Sequence, residues 1–232
     1  MDAATGYVMD MDAITEITPQ HPHWPAGLLD LNERMPQRLW VRGATAVLAL
    51  PGVALVGSRA STPQGNANAR QIADRCGDAG FAVISGLAYG IDAAAHGAAV
   101  SRRMPTVAYL ATGVDRVYPA GHDDLAQAIV DSGGALVSAY PPASAPTRER
   151  FLERNGLIVT HARVTAVVEA GFRSGTLNAA RQARQAGRPV GAVPGPEEVA
   201  QYGGCNALIR DGHASPISTG DELLALIPKG LG

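Results

Sequence analysis

Four turns in this 232-residue chain combine glycine, serine and arginine as a backbone that grips an anion would. The first is Val56-Gly57-Ser58-Arg59, followed by Ser61-Thr62-Pro63-Gln64-Gly65. A glycine after an apolar run lets a ligand approach the main chain, Thr62 suits a helix N-cap, and Pro63 suits the first helical position. Arg59 adds a charged fork beside the free N–H groups of that helix; a plain turn is the competing account. The second turn, Ser85-Gly86-Leu87-Ala88-Tyr89-Gly90-Ile91-Asp92, offers another backbone-lined concavity. Asp92 falls near a helix start, where capping is the expected role ahead of catalysis. His96 reads as a satisfied buried histidine, since a hydrolytic Asp–His pair has no third partner in the sequence. The third region sets Arg150 and Arg154 four residues apart on one helical face, with Asn155 placed to read a base edge or to tie down a loop. The fourth, Glu169-Ala170-Gly171-Phe172-Arg173-Ser174-Gly175-Thr176, puts Ser174-Gly175-Thr176 where helix amides meet a phosphate, with Arg173 alongside. Arg181, Arg184 and Arg188 follow at spacings of three and four and read as a solvated helix face.

These turns are neither a Gly-x-Gly-x-x-Gly run nor a Walker loop, so a conventional dinucleotide or ATP site is not expected. The chain has no Gly-x-Ser-x-Gly nucleophile elbow. His21 and His23, separated by Pro22, do not have metal-ligand spacing, and no cofactor is expected. Tyr89, Tyr118 and Phe172 are the aromatic residues near the turns that a base could stack on.

The elements that must hold these turns follow from periodicity. Apolar runs at 53–56, 82–84, 106–110, 135–137, 165–168 and 190–193 predict strands. Helical patterns fall at 64–78, 91–102, 122–132, 148–161 and 175–186, with shorter ones near 204–211 and 219–227. Strand–helix alternation of this kind predicts an α/β fold: an extended Rossmann-like, doubly wound, mostly parallel sheet with helices on both faces. Ligands in such sheets bind at the carboxyl ends of the strands, which is where all four turns lie. Residues 18–43 hold Pro19, Pro22, Pro25 and Pro36 and cannot form a long helix. Residues 1–43 therefore read as an N-terminal extension packing on a core domain of 44–232.

Composition narrows the function. Hydrophobic residues make up 46% of the chain and charged residues 17%, enough for a sizeable core. A net charge of −2 excludes a protein that coats nucleic acid by bulk charge, yet residues 148–188 carry eight Arg against three Glu. That local excess reads either as a solvated face or as an anion site. Cys76 and Cys205 have no Cys-x-x-Cys partner and read as two buried, reduced thiols, in keeping with a cytoplasmic protein. The apolar stretch 44–57 is broken by Pro51-Gly52 and is too short to span a bilayer, and no signal peptide is visible at Met1-Asp2-Ala3-Ala4, so no membrane partner is expected.

Taken in order, the motifs resemble the DNA-processing protein A (DprA/Smf) family. Val56-Gly57-Ser58-Arg59 with Gly65 is similar to its first glycine turn, and Ser85 to Asp92 with Ala95-His96 to its most specific motif. Gly113-Val114-Asp115-Arg116-Val117-Tyr118-Pro119, Ser138-Ala139-Tyr140-Pro141-Pro142, Phe151 and Arg154-Asn155 follow in register. Val168-Glu169-Ala170 with Arg173-Ser174-Gly175, then Gly187-Arg188-Pro189-Val190, Val193-Pro194-Gly195 and Gly204-Cys205-Asn206-Ala207-Leu208-Ile209 with Gly212-His213-Ala214, complete the series. Gly156, Ala139 and Leu152 depart from the family's usual Arg, acid and Pro. The resemblance covers about residues 14–227 and implies a compact form, mainly the core, without the helical and winged-helix domains many members carry.

The resemblance implies a non-catalytic protein that binds single-stranded DNA, forms a homodimer and loads a RecA-type recombinase during DNA uptake and natural transformation. It places Gly57, Ser58, Arg59, Ser85, Gly86, Arg154, Asn155, Arg173, Ser174 and Gly175 around the DNA, and gives Asp92 and Glu169 loop-positioning roles. Two other readings stay open. One is a nucleotide-binding enzyme or sensor similar to the LOG-type phosphoribohydrolases, using Glu169, Arg173, Gly175 and Thr176. The other is an interaction module that pairs with a recombinase or with itself without binding DNA.

Overall fold

Short runs of β-branched and small apolar residues build the sheet in a computed structural model that describes residues 13–229. The strands are β1 (Ile14–Ile17), β2 (Leu39–Gly43), β3 (Gly52–Val56), β4 (Ala82–Ser85), β5 (Thr106–Tyr109), β6 (Ala135–Ser138), β7 (Val164–Val167), β8 (Val190–Ala192) and β9 (Ser215–Pro216). The helices are α1 (Pro63–Asp78), α2 (Ile91–Ser101), α3 (Asp123–Asp131), α4 (Arg148–His161), α5 (Thr176–Gln185), α6 (Gly203–Arg210) and α7 (Gly220–Ala225). Two of the short 3-10 segments, Ala26–Arg34 and Thr45–Ala49, flank β2.

The strands form one sheet in the order β1-β2-β6-β5-β4-β3-β7-β8-β9. From β6 to β9 every pairing is parallel. The chain lays β3 in the middle, builds outward to β6, then returns to place β7 on the other side of β3. The reversal opens a crevice at the carboxyl ends of β3 and β7, the topological switch point of a doubly wound sheet. The fold expected from strand–helix alternation is the fold observed.

Side-chain alternation divides the core into two layers. Val53 and Leu55 face one way, with Ile72 and Ala73 of α1 and Ala95 and Ala99 of α2. Ala54 and Val56 face the other way, with Leu157 and Ile158 of α4 and Ala180 of α5. Both faces of β3 are buried, so its sequence is continuously apolar and does not alternate.

The proline-rich segment joins this architecture in two ways. β2 pairs antiparallel with β6, Val41 opposite Val137, and β1, just ahead of the segment, pairs with β2, so the amino-terminal part of the chain adds two strands to the sheet. Between them Leu28 is fully buried with Trp24 in the α4 layer, and a side chain on Gly27 would collide with the carbonyl of Thr160. Residues 1–12 of the expected extension lie outside the described residues. Among the described residues no helix is long and apolar enough to cross a membrane.

Cys76 and Cys205 are both free and buried on opposite sides of the sheet. Burial pushes each thiol up to about 12, far from the thiolate range needed for attack. The native protein is expected to react with neither equivalent of a thiol-specific chromogenic disulfide at pH 8, and with both once unfolded in guanidinium. Rapid reaction of one thiol in the native state would contradict this placement.

Candidate nucleic-acid interface

The switch-point crevice widens into an open cleft of about 970 Å³. Its lining comes mainly from three regions: Val56 to Ala60 after β3, residues between Pro146 and Asn155 across the start of α4, and residues between Gly171 and Thr176 before and into α5, with Ala88, Asp92 and Tyr118 added from other turns. Arg59, Arg154 and Arg173, from separate parts of the sequence, meet in this one cleft, together with Gly57, Ser58, Asn155, Ser174 and Gly175. The amino-terminal ends of α4 and α5 both face it, adding the positive ends of two helix dipoles. A side chain at Gly175 would meet only open space, so the backbone there is open on that side.

The turn after β3 is held by a carboxylate. Glu169 is fully buried, accepts from the Thr62 N–H at 2.9 Å and from the Thr62 hydroxyl, and its main-chain oxygen accepts from the Ser58 N–H at 2.7 Å. Thr62 caps α1 as expected, its Oγ1 accepting from Gly65 N–H at 3.0 Å, with Pro63 opening the helix. The first turn of α1 is in part used internally: the Gly65 N–H goes to Thr62 Oγ1, and the Glu169 carboxylate takes the N–H and hydroxyl of the N-cap Thr62. Gly65 is required because a Cβ there would strike the Glu169 carboxylate. Glu169 is not among the residues that line the cleft, whereas Asp92 is.

A second buried carboxylate organises the Ser85–Asp92 turn. Asp92 does not cap α2; its Oδ2 reaches back to accept from the N–H groups of Gly86 (3.1 Å) and Ala88 (3.3 Å). The same oxygen lies 3.9 Å from Arg154 Nη1, an ionic contact too long for a hydrogen bond. Burial pushes the Asp92 carboxyl above the usual range, with Arg154 and the two amides pulling it back. Burial likewise lowers Arg154, which stays a cation because guanidinium does not deprotonate in proteins. Arg154 is 4% exposed, and its Nε has no hydrogen-bond partner among the described residues. Its guanidinium passes so close to Gly86 that any Cβ there would collide with Nη1. Ser85 lies beneath the cleft: it is fully buried and its hydroxyl donates to the Leu55 carbonyl at 2.6 Å. It supports the turn from behind and does not line the cleft.

Among the lining residues Arg148 was not singled out from the sequence, and Phe151 was named there only as a member of the motif series. Phe151 sits between two cations, with the Arg59 guanidinium 5.1 Å and the Arg154 guanidinium 5.6 Å from its ring centre. Tyr118, half exposed, meets Phe151 edge-on at 5.7 Å. Tyr89, Tyr118, Pro119 and Phe151 also close a narrow adjoining recess, with Gly86 and Arg154 at its base. Arg148 lines the cleft because it lies three residues before Phe151 and shares its helical face. Arg150 does not join Arg154 there: its guanidinium donates to the Ala145 carbonyl at 2.6 Å and lies 4.6 Å over the Tyr140 ring. Among the described residues no group of three His, Cys, Asp or Glu side chains is placed to hold a metal ion.

The family model for DNA recombination-mediator protein A matches residues 15–228. The chain belongs to that family. It is 41% identical over 223 residues to a putative DNA processing protein DprA of Mycobacterium tuberculosis, covering 91% of this chain and 57% of the relative. The chain thus spans little more than half the length of that relative. The solved structure of DNA processing protein A from Streptococcus pneumoniae superposes with a TM-score of 0.85 at 32% identity, over 94% of this chain and 76% of that one. DNA processing protein A from Helicobacter pylori, whose structure concerns that protein's single-stranded DNA binding, shares the fold with a TM-score of 0.79 at 24% identity, over 91% and 94% of the two chains.

In this family member two buried histidines, His96 in α2 and His161 at the far end of α4 from the cleft, are held in structural hydrogen bonds. His96 is fully buried in α2. Thr106 Oγ1 donates to the Val83 carbonyl, so it must accept from His96 Nδ1–H at 2.7 Å, and this leaves Nε2 without a proton. Burial lowers His96 to about 3. His161 is lowered by burial to about 4; its Nε2–H donates to the Leu48 carbonyl and its Nδ1 accepts from the Tyr109 hydroxyl. Both are neutral when folded and take up protons near pH 6.5 when unfolded, so their stabilisation is present above pH 6.5 and is lost as pH falls toward 4 and 3. Between pH 6.5 and 5 the unfolding free energy is expected to drop by roughly 2 kcal/mol per histidine. Urea titrations across this range measure the drop, and His96→Gln should flatten the slope; an equal slope in the variant would contradict the assignment.

Proposed function

We propose that this chain binds single-stranded DNA in the switch-point cleft and hands it to a RecA-type recombinase, acting in DNA uptake and recombination as a homodimeric, cytoplasmic, non-catalytic mediator. One observation carries the reading: Arg59, Arg148, Arg154 and Arg173 converge on one cleft that also holds Phe151 and Tyr118. Phosphates are met by guanidinium forks, and a base has an aromatic face flanked by cations. Arg154 is already desolvated and aimed, with an Nε still to be satisfied. A local cluster of this kind fits the net charge of −2, because affinity comes from the cleft and not from the whole surface. The roles given to Gly57, Ser58, Gly86, Asn155, Ser174 and Gly175 follow from their places around it, and Ser85 acts from below. The family's description as a recombination mediator supports the handover, and two buried reduced thiols agree with a cytoplasmic setting. Burial of Glu169 and His96 in structural hydrogen bonds supports binding over hydrolysis.

If three or four arginines meet phosphates, log K for oligothymidine should fall with log salt with a slope of roughly −2 to −3. Fluorescence anisotropy measures it, and absence of binding at low salt would remove the proposal. Arg59→Ala and Arg173→Ala should weaken binding to all sequences alike, each making the slope shallower by roughly 0.7. Gly86→Ala should weaken binding at least as much as Arg154→Ala, because its methyl group displaces that guanidinium. Far-UV circular dichroism of that variant verifies that the fold is kept.

A further inference from the structure

The cleft accounts for the aromatic rings of Phe151 and Tyr118 but not for Phe172. This residue lies between Gly171 and Arg173, both of which line the cleft, yet its own side chain points outside. It is 69% exposed, the most exposed large hydrophobic side chain among the described residues. A core role is therefore excluded. The ring is nonetheless held: one edge lies against Gly203 at the start of α6, so closely that a Cβ there would strike it. Gly204 N–H in turn donates to the Ala170 carbonyl at 2.6 Å, fastening this end of α6 to the strand-end loop that carries Phe172. The result is an aromatic ring fixed along one edge, open elsewhere, and next in sequence to an exposed arginine of the cleft.

We infer that Phe172 is an outer stacking subsite for a nucleobase of the strand, immediately beyond the cleft on its α5–α6 side. The inference rests on the single-strand reading of the cleft. A strand whose phosphate is gripped by Arg173 presents its neighbouring base at the Phe172 ring. Stacking there needs no hydrogen-bond code, so it adds affinity without base preference. Holding the ring against Gly203 reduces the side-chain entropy lost on binding. The subsite also gives the cleft a direction, with one aromatic pair at the Tyr118–Phe151 end and a single ring at the other.

The test uses the full chain and a series of oligothymidines of increasing length, read by anisotropy at fixed salt. Phe172→Ala should leave the shortest bound oligomers unaffected and weaken longer ones by about tenfold, while Phe172→Tyr restores them. Replacing the terminal base that reaches the subsite with an abasic residue should remove the difference between wild type and Phe172→Ala. Phe172→Trp provides a direct signal, since the new indole should be quenched by long oligomers and not by short ones. If oligothymidine binds but Phe172→Ala is indistinguishable from wild type at every length, the subsite is overturned and the cleft reading stands. If no oligomer binds at all, both fall.

Discussion

The arrangement of the site depends on a carboxylate buried beside the turn after β3. Glu169 takes the Thr62 amide and hydroxyl at the amino-terminal end of α1, while its main chain takes the Ser58 amide. A carboxyl group removed from water is tolerated only with such hydrogen-bond partners. The consequence is geometric. The turn after β3 is tied to the strand beside it, and the first turn of α1 is in part used internally. The open cleft lies instead at the amino-terminal ends of α4 and α5, where the strand ends leave a trough in place of an enclosed pocket.

The arginines of that trough are of two kinds. Arg59, Arg148 and Arg173 are exposed, whereas Arg154 is buried beneath the rim. Sealing a cation is costly, and Asp92 offsets part of that cost from 3.9 Å without consuming the guanidinium's hydrogen bonds. The same carboxylate fixes the Gly86 and Ala88 amides, so the shape of the turn and the aim of the cation are set by one group. Gly86 has no side chain because the guanidinium occupies that space.

Much of this was legible from residue order. The parallel strands read as short apolar runs, since burial on both faces removes alternation, and the glycine-rich turns between them marked the strand ends. Arg59 and Arg173 were identifiable because each stands at such an end, and Arg154 by its helical spacing from Arg150 and its place in the motif series. β2 was not read as a strand: Leu39-Trp40-Val41 follows a stretch dominated by prolines, and its pairing partner β6 is nearly a hundred residues away. No local pattern encodes a contact of that range. The places of Phe151 and Arg148 in the cleft were not legible for a related reason. Helical spacing places side chains on a face but does not say which face meets the cleft, so the pairing of Arg150 with Arg154 does not hold: Arg150 lies over the Tyr140 ring. The reach of Asp92 backward into its own turn was also invisible, because a carboxylate in the first turn of a helix looks the same in sequence whether it caps the helix or not.

The sheet's far border is built from β9, two residues long and ending in Pro216. Proline has no amide hydrogen to donate, and so brief a rung offers little template for further pairing. At that border the sheet gives another molecule's strand little to pair with. A second copy approaching there would meet helix surfaces and loops in place of a free strand edge.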